Sequence, residues 1–538
     1  MRFSLRYRYK PRALAAAAAL VTAASLATAS LAPQASATAR QAAAVQAAPA
    51  VEDDGADCAV PDPGASPANA KLPDPFKKLD GTRISTASDW RCRRAEIREQ
   101  AERSVYGQKP AKPAGITGTV SATGITVNVT DQGKSAAFSA KVELPSGSGP
   151  FPAVVVLGGL GADTATIKAS GAAVVNFDPY TVGREGTARN NKQGAFYSVY
   201  GSSSSTGLLM AWSWGVSRII DVIEQSGGSL LKADATGVTG CSRFGKGAFV
   251  AGAFDQRIDL TMPIESGSGG APVFRGIPGE SGGQPLSSAY SEQPWLGDAF
   301  GSFTGSPATL PVDTHEIVGM VAPRGLFVME NPHVDWLSAR SGSVAALGGA
   351  EVYKALGAGS NISYWSDVQD GTHCAARSEW KAPLQQSIST FLLNTGTAPG
   401  VFRVSPLKSG DLSSWKDWQT PVLTGIGNPD NGGDPDDGSD ATCTAGYRTV
   451  QSWSGGFQGE VTIRNNSSTT LNGWTVAMTL AAGQSISSLW NGVNTGTSGS
   501  VTVRNAPWAG TTAPDGTTTF GFTATGSPTT APGNLTCT

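Results

Sequence analysis

The sequence of 538 residues predicts an α/β protein, a three-layer αβα sandwich built on a doubly wound sheet, followed by a smaller all-β sandwich. Three observations predict this. From about residue 90 to residue 393, short apolar runs alternate with helical stretches, as in a largely parallel sheet. Residues 425–441 are rich in Gly, Pro and Asp and lack periodicity, which is typical of a flexible linker. Beyond it, short alternating strands rich in Thr, Ser, Gly and Val indicate a β-sandwich.

Hydrophobic periodicity predicts the elements of the first domain in order. The first two strands alternate apolar and polar residues, whereas the next two are continuous apolar runs typical of central parallel strands. The predicted strands are 125–130, 136–144, 152–159, 171–178, 235–239, 258–264, 325–329 and 362–366. The predicted helices are 90–106, 206–225, 245–254, 344–356 and 380–393.

The N-terminus has the pattern of a secretory signal peptide over residues 1–37. Basic residues precede an apolar run at 13–31, and residues 35–37 (ASA) form a small-residue cleavage site. A membrane anchor is the alternative, but Thr and Ser interrupt the run and no second long apolar run occurs. We expect residues 38–57, which are rich in Ala and acidic residues, to be disordered. The mature protein is therefore expected to be secreted and soluble.

Charge and cysteine content limit the possible partners. Lys and Arg number 40 against 42 Asp and Glu, so nothing indicates a nucleic-acid or polybasic membrane interaction. We expect the chain to be a monomer. No C-x-x-C or H-x-x-x-H pattern occurs, so no metal is expected. An even number of cysteines in a secreted chain indicates disulfides, although six cysteines allow fifteen pairings.

Ser242 lies at a predicted strand-to-helix turn, between the strand 235–239 and the helix 245–254. With Gly240 before it and Gly245 after it, the turn has the pattern of the nucleophile elbow of α/β-hydrolases. The second glycine comes one residue later than in G-x-S-x-G, so an ordinary turn is the alternative. The backbone N–H of Arg243 is in position to help form an oxyanion hole, to which its guanidinium could add charge stabilisation. A surface salt bridge is the other possibility for this arginine.

A nucleophilic serine needs a base, and the sequence has three histidines. His373 lies between the last predicted strand and the last predicted helix, where an α/β-hydrolase places its catalytic histidine. His315 and His333 are expected to be structural or to line the cleft.

The acid that orients the base has three candidates. Glu265 ends the strand 258–264 and is followed by glycines and serines, at the carboxyl edge of the sheet where active sites form. Glu330 and Asp335 follow the next strand, which is the usual position in this fold. All three keep the order Ser, acid, His along the chain.

The cysteines add a geometric expectation. Cys241 precedes Ser242 and Cys374 follows His373, so a serine and histidine in hydrogen-bond reach would bring these sulfurs near disulfide distance. Two reduced buried thiols are the alternative. Pairing Cys58 with Cys92, and Cys443 with Cys537, would complete a local scheme whose remaining bridge joins Cys241 to Cys374.

Three separated motifs, in residues 58–423, resemble those of glucuronoyl esterases, carbohydrate esterase family 15. They are 240–248 (GCSRFGKGA), 265–270 (ESGSGG) and 370–374 (DGTHC). The resemblance implies a metal-free serine esterase domain at 58–424, which needs no cofactor and cleaves the ester between 4-O-methyl-glucuronic acid of glucuronoxylan and lignin alcohols. It implies Ser242 as nucleophile, His373 as base and Glu265 as acid, with Asp335 possible because some members place the acid later.

The same resemblance implies further site residues. Arg243 is similar to the arginine of the family's oxyanion site. Lys246 is similar to the lysine that contacts the sugar hydroxyls, and Gln284, Glu292 and Trp336 occur in an order comparable to the other glucuronate contacts. A lysine and a tryptophan near the serine suit a polar sugar acid better than a lipid chain.

Residues 442–538 resemble a family 2 carbohydrate-binding module. The motifs are 452–457 (SWSGGF), 473–476 (GWTV), 488–492 (SLWNG) and 505–508 (NAPW), bracketed by Cys443 and Cys537. The resemblance implies that the surface tryptophans that stack on a flat polysaccharide are Trp453, Trp490 and Trp508. Trp474 corresponds to a buried core tryptophan, and burial of all four is the alternative. Three planar tryptophans favour cellulose over xylan.

The sequence therefore predicts a secreted two-domain esterase that is held on cellulose by its C-terminal module. An esterase of another specificity, such as an acetyl xylan esterase, is one alternative, against which Lys246 and Trp336 argue. A non-catalytic polysaccharide-binding protein with a hydrolase fold is the other, against which the intact Ser242, Glu265 and His373 argue.

Overall fold

A computed structural model describes residues 51–423, except 63, 65 and 66, and residues 443–538, except 454, 468, 507–509, 515 and 527–531. The predicted signal peptide at 1–37 and the predicted linker at 425–441 lie outside the described residues. The chain divides into two compact units, with the division between Asn431 and Gly432. None of the described helices is long and apolar enough to cross a membrane.

The first unit is built on a mixed sheet in the order β1-β2-β3-β5-β4-β6-β7-β8-β9-β10. The strands are β1 (Gly115–Val120), β2 (Gly124–Asp131), β3 (Lys134–Glu143), β4 (Phe151–Leu157), β5 (Ala173–Phe177), β6 (Leu231–Cys241), β7 (Ile258–Ile264), β8 (Gly325–Met329), β9 (Ile362–Trp365) and β10 (Phe402–Arg403). From β5 through β10 neighbouring strands are parallel, and β1, β2 and β3 form an antiparallel edge. The carboxyl ends of the parallel strands therefore meet at one edge.

Helices cover both faces of this sheet. They are α1 (Ala87–Ala101), α2 (Thr164–Ala169), α3 (Ala195–Tyr200), α4 (Leu208–Gln225), α5 (Arg243–Phe254), α6 (Leu286–Glu292), α7 (Thr314–Val321), α8 (Ala339–Ala355) and α9 (Ser378–Phe391). β4 is buried along its whole length, as its continuous apolar run predicts. Val155 belongs to one hydrophobic cluster and its neighbours Val154 and Val156 to another, because successive side chains point to opposite faces of a strand. The predicted three-layer α/β sandwich is confirmed.

The predicted disorder of residues 38–57 is wrong for the part that the structure describes, from residue 51 onward. Glu52 is buried and forms ion pairs with Lys109, Arg218 and Arg257. Burial raises the pKa of Glu52, but these three cations outweigh burial and hold it well below the usual range. The acidic composition indicated a solvated segment, whereas this carboxylate meets cations that lie far away in the sequence.

The second unit is the predicted β-sandwich. Its strands are β11 (Cys443–Trp453), β12 (Gly456–Asn465), β13 (Leu471–Asn472), β14 (Thr475–Thr479), β15 (Ser485–Trp490), β16 (Gly492–Thr495), β17 (Ser500–Asn505), β18 (Thr511–Thr512), β19 (Thr517–Thr525) and β20 (Gly533–Cys537). The two larger sheets have the orders β11-β12-β19-β15 and β16-β17-β14-β20. Trp474 is buried and stacks on Phe520, with ring centroids 5.6 Å apart. Trp453 and Trp490 are 48% and 39% exposed and lie at opposite edges of one sheet, and Trp508 lies outside the described residues.

Candidate active site

Ser242 is the single residue between the end of β6 and the start of α5. Its backbone has φ 60° and ψ −127°, a conformation that is strained for a residue with a side chain. A Cβ at Gly245 would lie 2.4 Å from the carbonyl oxygen of Ile264, and a Cβ at Gly240 would lie 2.7 Å from that of Phe244. Both glycines are therefore needed for close backbone approach, although the second comes one residue later than in the common motif. The geometry is that of a nucleophile elbow.

His373 is hydrogen-bonded to a buried carboxylate. Glu265 follows β7 directly and is fully buried, and its Oε2 accepts from His373 Nδ1 at 2.6 Å and from the Cys374 backbone N–H at 2.8 Å. A hydrogen bond at Nδ1 leaves His373 Nε2 available to accept a proton. Among the described residues, no hydrogen bond joins Ser242 Oγ to His373, although both residues line one cavity. Catalytic hydrogen bonds are often long without substrate and tighten when it binds.

The other carboxylates considered from the sequence do not reach His373. The Asp335 side chain is 64% exposed and forms an ion pair with Lys408 at 3.0 Å. Glu330 is fully buried behind the site, and its Oε1 lies 3.5 Å from Ser266 Oγ. Burial, together with the neighbouring Glu265 carboxylate, raises the pKa of Glu330 well above its usual value. Neither carboxylate after β8, which is the usual place of the acid in this fold, is therefore hydrogen-bonded to His373.

The remaining histidines are held elsewhere. His315 is buried, its Nε2 lies 2.8 Å from the Pro73 carbonyl oxygen, and burial lowers its pKa to about 4. His333 Nε2 lies 2.8 Å from the Val368 carbonyl oxygen. Among the described residues, no hydrogen bond or ion pair joins either histidine to Ser242 or Glu265.

A disulfide joins the two loops of the site. Cys241 and Cys374 are bonded, with Cα atoms 5.8 Å apart, so the residues next to Ser242 and His373 are covalently linked. The other disulfides are Cys58–Cys92 and Cys443–Cys537, which agrees with the local pairing considered from the sequence. Atoms of Cys241, Glu265, His373 and Cys374 lie within 4.8 Å of one another. Because both sulfurs are in the disulfide, this set offers no thiolate ligand, and it does not fit a metal centre.

The guanidinium of Arg243 is held by a carboxylate that the sequence did not indicate. Arg243 Nη1 donates to Glu185 Oε2 at 2.8 Å. Glu185 also accepts from Tyr180 Oη at 2.7 Å and from Trp295 Nε1 at 2.5 Å. Glu185 lies in a loop without periodicity, 58 positions before Arg243, so no local pattern could have found it. The arginine predicted for oxyanion stabilisation is thus fixed by this buried acceptor.

A cavity of about 670 Å³ opens at Ser242 and His373. Its other lining residues include all four that were predicted to contact a sugar acid, namely Lys246, Gln284, Glu292 and Trp336. Gln284 Nε2 donates to Glu292 Oε2 at 2.7 Å, and the Trp336 side chain is about half exposed. The structure therefore brings these four residues, which lie 4 to 94 positions after Ser242 in the sequence, together beside the serine.

Lys246 is the buried cation of this cavity. Its Nζ donates to the Ser266 carbonyl oxygen at 2.5 Å and lies 5.3 Å from the centroid of the Trp295 ring. Burial lowers the pKa of Lys246 to about 8, and the Glu292 carboxylate partly opposes this effect. The ammonium group has donors left for a polar ligand.

The fold, the elbow at Ser242 and the histidine hydrogen-bonded to a buried carboxylate are those of the α/β-hydrolase class. Comparisons with known proteins give the family. Residues 127–357 match the family model described as "Glucuronyl esterase, fungi", and residues 443–538 match "Cellulose binding domain". The chain belongs to the glucuronoyl esterase family and carries a cellulose-binding domain at its C-terminus.

Named relatives and solved structures agree. The chain is 38% identical over 373 residues to the 4-O-methyl-glucuronoyl methylesterase of Neurospora crassa, covering 68% of this chain and 93% of the relative. For the enzyme of the same name from Hypocrea jecorina, the identity is 36% over 377 residues, covering 69% and 80%. The solved catalytic domain from Hypocrea jecorina superposes with a TM-score of 0.64 at 35% identity, covering 68% of this chain and 100% of that one. The same values hold for a mutant from Sporotrichum thermophile in complex with methyl 4-O-methyl-β-D-glucopyranuronate.

Proposed function

We propose that this chain hydrolyses the ester between (4-O-methyl-)glucuronic acid groups of glucuronoxylan and lignin alcohols, and that its C-terminal module holds it on cellulose. One observation carries the proposal: the elbow serine opens onto a cavity whose polar lining suits a sugar acid. Membership of the glucuronoyl esterase family supports the same substrate class.

In the proposed acylation step, Ser242 Oγ attacks the ester carbonyl carbon of the uronate. His373 Nε2 takes the hydroxyl proton, and Glu265 holds the imidazole through Nδ1 and stabilises its positive charge. The tetrahedral intermediate then collapses, the bond to the alcohol oxygen breaks, and His373 returns the proton to that oxygen. The alcohol leaves and the glucuronoyl group remains esterified to Ser242.

Charge on the tetrahedral oxygen needs donors that are in place beforehand. The Arg243 backbone N–H lies at the first turn of α5, where the helix dipole favours negative charge. Because Glu185 fixes the Arg243 guanidinium, this cation adds stabilisation without reorganising during the reaction. A water molecule, deprotonated by His373, then attacks the acyl-enzyme. The bond to Ser242 Oγ breaks, His373 returns the proton to that oxygen, and glucuronic acid is released.

The proposed sugar contacts divide into polar groups and one planar aromatic group. Lys246 and the hydrogen-bonded pair of Gln284 and Glu292 offer donors and acceptors for hydroxyl groups. Trp336 offers a flat apolar face, and its ring centroid lies 6.0 Å from that of His373. An acetyl group would fill little of a cavity of about 670 Å³, which favours the uronate over the acetate ester.

We propose the domain bounds expected from the sequence, namely an esterase domain at 58–424, a linker at 425–441 and a binding module at 442–538. The substrates proposed here are plant polysaccharides outside the cell, which supports a secreted enzyme with residues 1–37 as its signal peptide. We further propose that it acts as a monomer without a cofactor.

Hydrolysis of benzyl glucuronate beside p-nitrophenyl acetate, by the wild type and Ser242→Ala, tests this function. We expect serine-dependent cleavage of the glucuronate ester and poor cleavage of the acetate. Strong acetate cleavage without glucuronate cleavage would retain the serine hydrolase but reject this substrate. Cleavage of neither ester, with cellulose binding intact, would favour a non-catalytic polysaccharide-binding protein.

A further inference from the structure

Glu265 is a fully buried carboxylate whose two oxygens have different partners. Oε2 faces His373 Nδ1 and the Cys374 backbone N–H. Oε1 lies 3.4 Å from Asn331 Nδ2 and 3.3 Å from Arg377 Nη2. Among the described residues, Arg377 is the one arginine or lysine that forms an ion pair with Glu265. A buried carboxylate is costly unless it is hydrogen-bonded and paired with a cation.

The same guanidinium also holds the loop that carries His373. Arg377 Nη2 donates to the Thr372 carbonyl oxygen at 2.6 Å, and Nη1 donates to Asp370 Oδ2 at 2.9 Å. These two acceptors lie one and three positions before the histidine. A planar guanidinium can satisfy several acceptors in fixed directions, which the point charge of a lysine cannot do.

Arg377 is itself fixed in place and lies outside the substrate cavity. Its side chain is 2% exposed, it directly precedes α9, and its guanidinium carbon lies 5.2 Å from the centroid of the Trp380 ring. The cavity at Ser242 is lined by other residues. Arg377 can therefore act on the reaction only through Glu265 and the histidine loop.

We propose that Arg377 is a positioning residue, which pairs with the Glu265 carboxylate and holds the loop 370–373 so that His373 faces the serine. The inference rests on the proposed roles of Glu265 and His373. Without this cation, the uncompensated Glu265 carboxylate would favour the protonated form of His373. The loop that carries His373 would also lose the contacts that orient it. Less of the enzyme would then hold a neutral, correctly placed base at a given pH.

Other charged groups near this pair bear on its pH behaviour. Glu330, behind the site, has its pKa raised well above the usual value by burial and then by Glu265. Lys246 donates to the carbonyl oxygen of Ser266, the residue after Glu265, and burial lowers its pKa to about 8. Asp370 is 62% exposed, so solvent screens its charge. Arg377 is thus the cation expected to govern the Glu265 carboxylate.

The test compares the full-length wild type with Arg377→Gln, Arg377→Lys and Arg403→Gln. Arg403 is the matched control, since it pairs with Asp367 at 3.1 Å and its guanidinium carbon lies 5.4 Å from the centroid of the Trp365 ring, but it does not contact Glu265. The kcat and KM for benzyl glucuronate are measured against pH. Because the chain has three histidines, the titration of His373 is followed by NMR of ¹⁵N-histidine-labelled protein, with the signal assigned from its loss in His373→Gln.

For Arg377→Gln we expect kcat to fall about tenfold or more with KM within twofold, and the His373 titration midpoint to rise by at least about half a pH unit. Arg377→Lys should keep the midpoint, because the charge remains, while kcat falls to an intermediate value. Arg403→Gln should match the wild type in all three quantities.

A folded Arg377→Gln with wild-type kcat and titration midpoint would overturn the proposal, as would a rise in KM with kcat unchanged. If that variant does not fold, Arg377→Lys decides, because an unchanged kcat there contradicts the positioning role. The NMR titration does not require turnover. It therefore tests Arg377 even if the wild type fails to cleave a glucuronate ester, which would overturn the proposed function instead.

Discussion

At the scale of single residues, three strained backbone positions lie where the proposed chemistry occurs. Ser242, Glu265 and Cys374 are non-glycine residues with φ of 60°, 45° and 61°, in the left-handed region that such residues rarely adopt. Each costs of order 1–3 kcal/mol, so the surrounding contacts must determine their conformation. The disulfide and the hydrogen bonds of Glu265 supply those contacts. These contacts therefore hold Ser242, Glu265 and the loop that carries His373 in strained conformations.

The choice of acid gives the first prediction. We expect Glu265→Gln to lower kcat by about 100-fold or more, since the amide cannot stabilise the imidazolium, while KM changes little. Asp335→Asn should stay within about twofold of the wild type, because Asp335 is exposed and bonded to Lys408. Steady-state kinetics on benzyl glucuronate measures both. An active Glu265→Gln beside an inactive Asp335→Asn would show that the acid is the later carboxylate.

The buried Lys246 gives a pH dependence of binding. Burial lowers the pKa of Lys246 to about 8, so its positive charge is present below that pH and is lost as the pH rises through it. We expect KM for a glucuronate ester to rise by about fivefold between pH 7 and pH 9. Lys246→Gln should have a high KM that does not vary over this range, whereas exposed Lys354→Met should retain the wild-type profile. A flat KM in the wild type would contradict the role of this ammonium.

At the scale of secondary-structure elements, the elbow depends on how closely α5 approaches β7. Gly245→Ala would place a Cβ 2.4 Å from the Ile264 carbonyl oxygen, which is backbone and cannot move aside easily. We expect a loss of roughly 2–4 kcal/mol in the free energy of unfolding and a large fall in kcat. Gly279→Ala is the control, because no atom lies within 4 Å of its Cβ and it should be within about 0.5 kcal/mol of the wild type. Urea unfolding measures both, and equal stabilities would contradict the crowding.

The sequence predicted the central elements well because their apolar runs end at clear turn signals. Strands β7 and β8 have the predicted bounds, and helix α4 begins two residues after its predicted start. The edge strand β1 and the short helices α2, α3, α6 and α7 were missed. β1 buries one of its six residues, so it lacks an alternating apolar pattern. The four helices are too short to give a periodic signal.

The candidate site divides in the same way. Ser242, Glu265 and His373 lie at or near strand ends, where the topology of a parallel sheet brings loops together, so local motifs were enough to find them. Glu185 and Arg377 contact Arg243 and Glu265 across 58 and 112 positions of sequence. Only the packed fold brings such distant partners together. No local pattern in a single sequence marks them.

At the scale of the whole molecule, two units carry separate tasks on one chain. The catalytic unit has its cavity at the carboxyl edge of its own sheet, and the second unit carries exposed tryptophans on its own sheet. Holding an esterase on cellulose raises the local concentration of ester groups without changing the chemistry at the serine. The two tasks should therefore be separable by mutation.

Trp453→Ala with Trp490→Ala in the full-length chain tests this separation. The two aromatic faces lie on one sheet and are exposed, so we expect their loss to weaken binding to crystalline cellulose by about tenfold or more. The kcat and KM for soluble benzyl glucuronate should not change. Val493→Ala is the matched control, since Val493 is exposed in the same unit. Wild-type adsorption by the double variant would reject these tryptophans as the cellulose contact, whereas altered kinetics on the soluble ester would show that the two units are not independent.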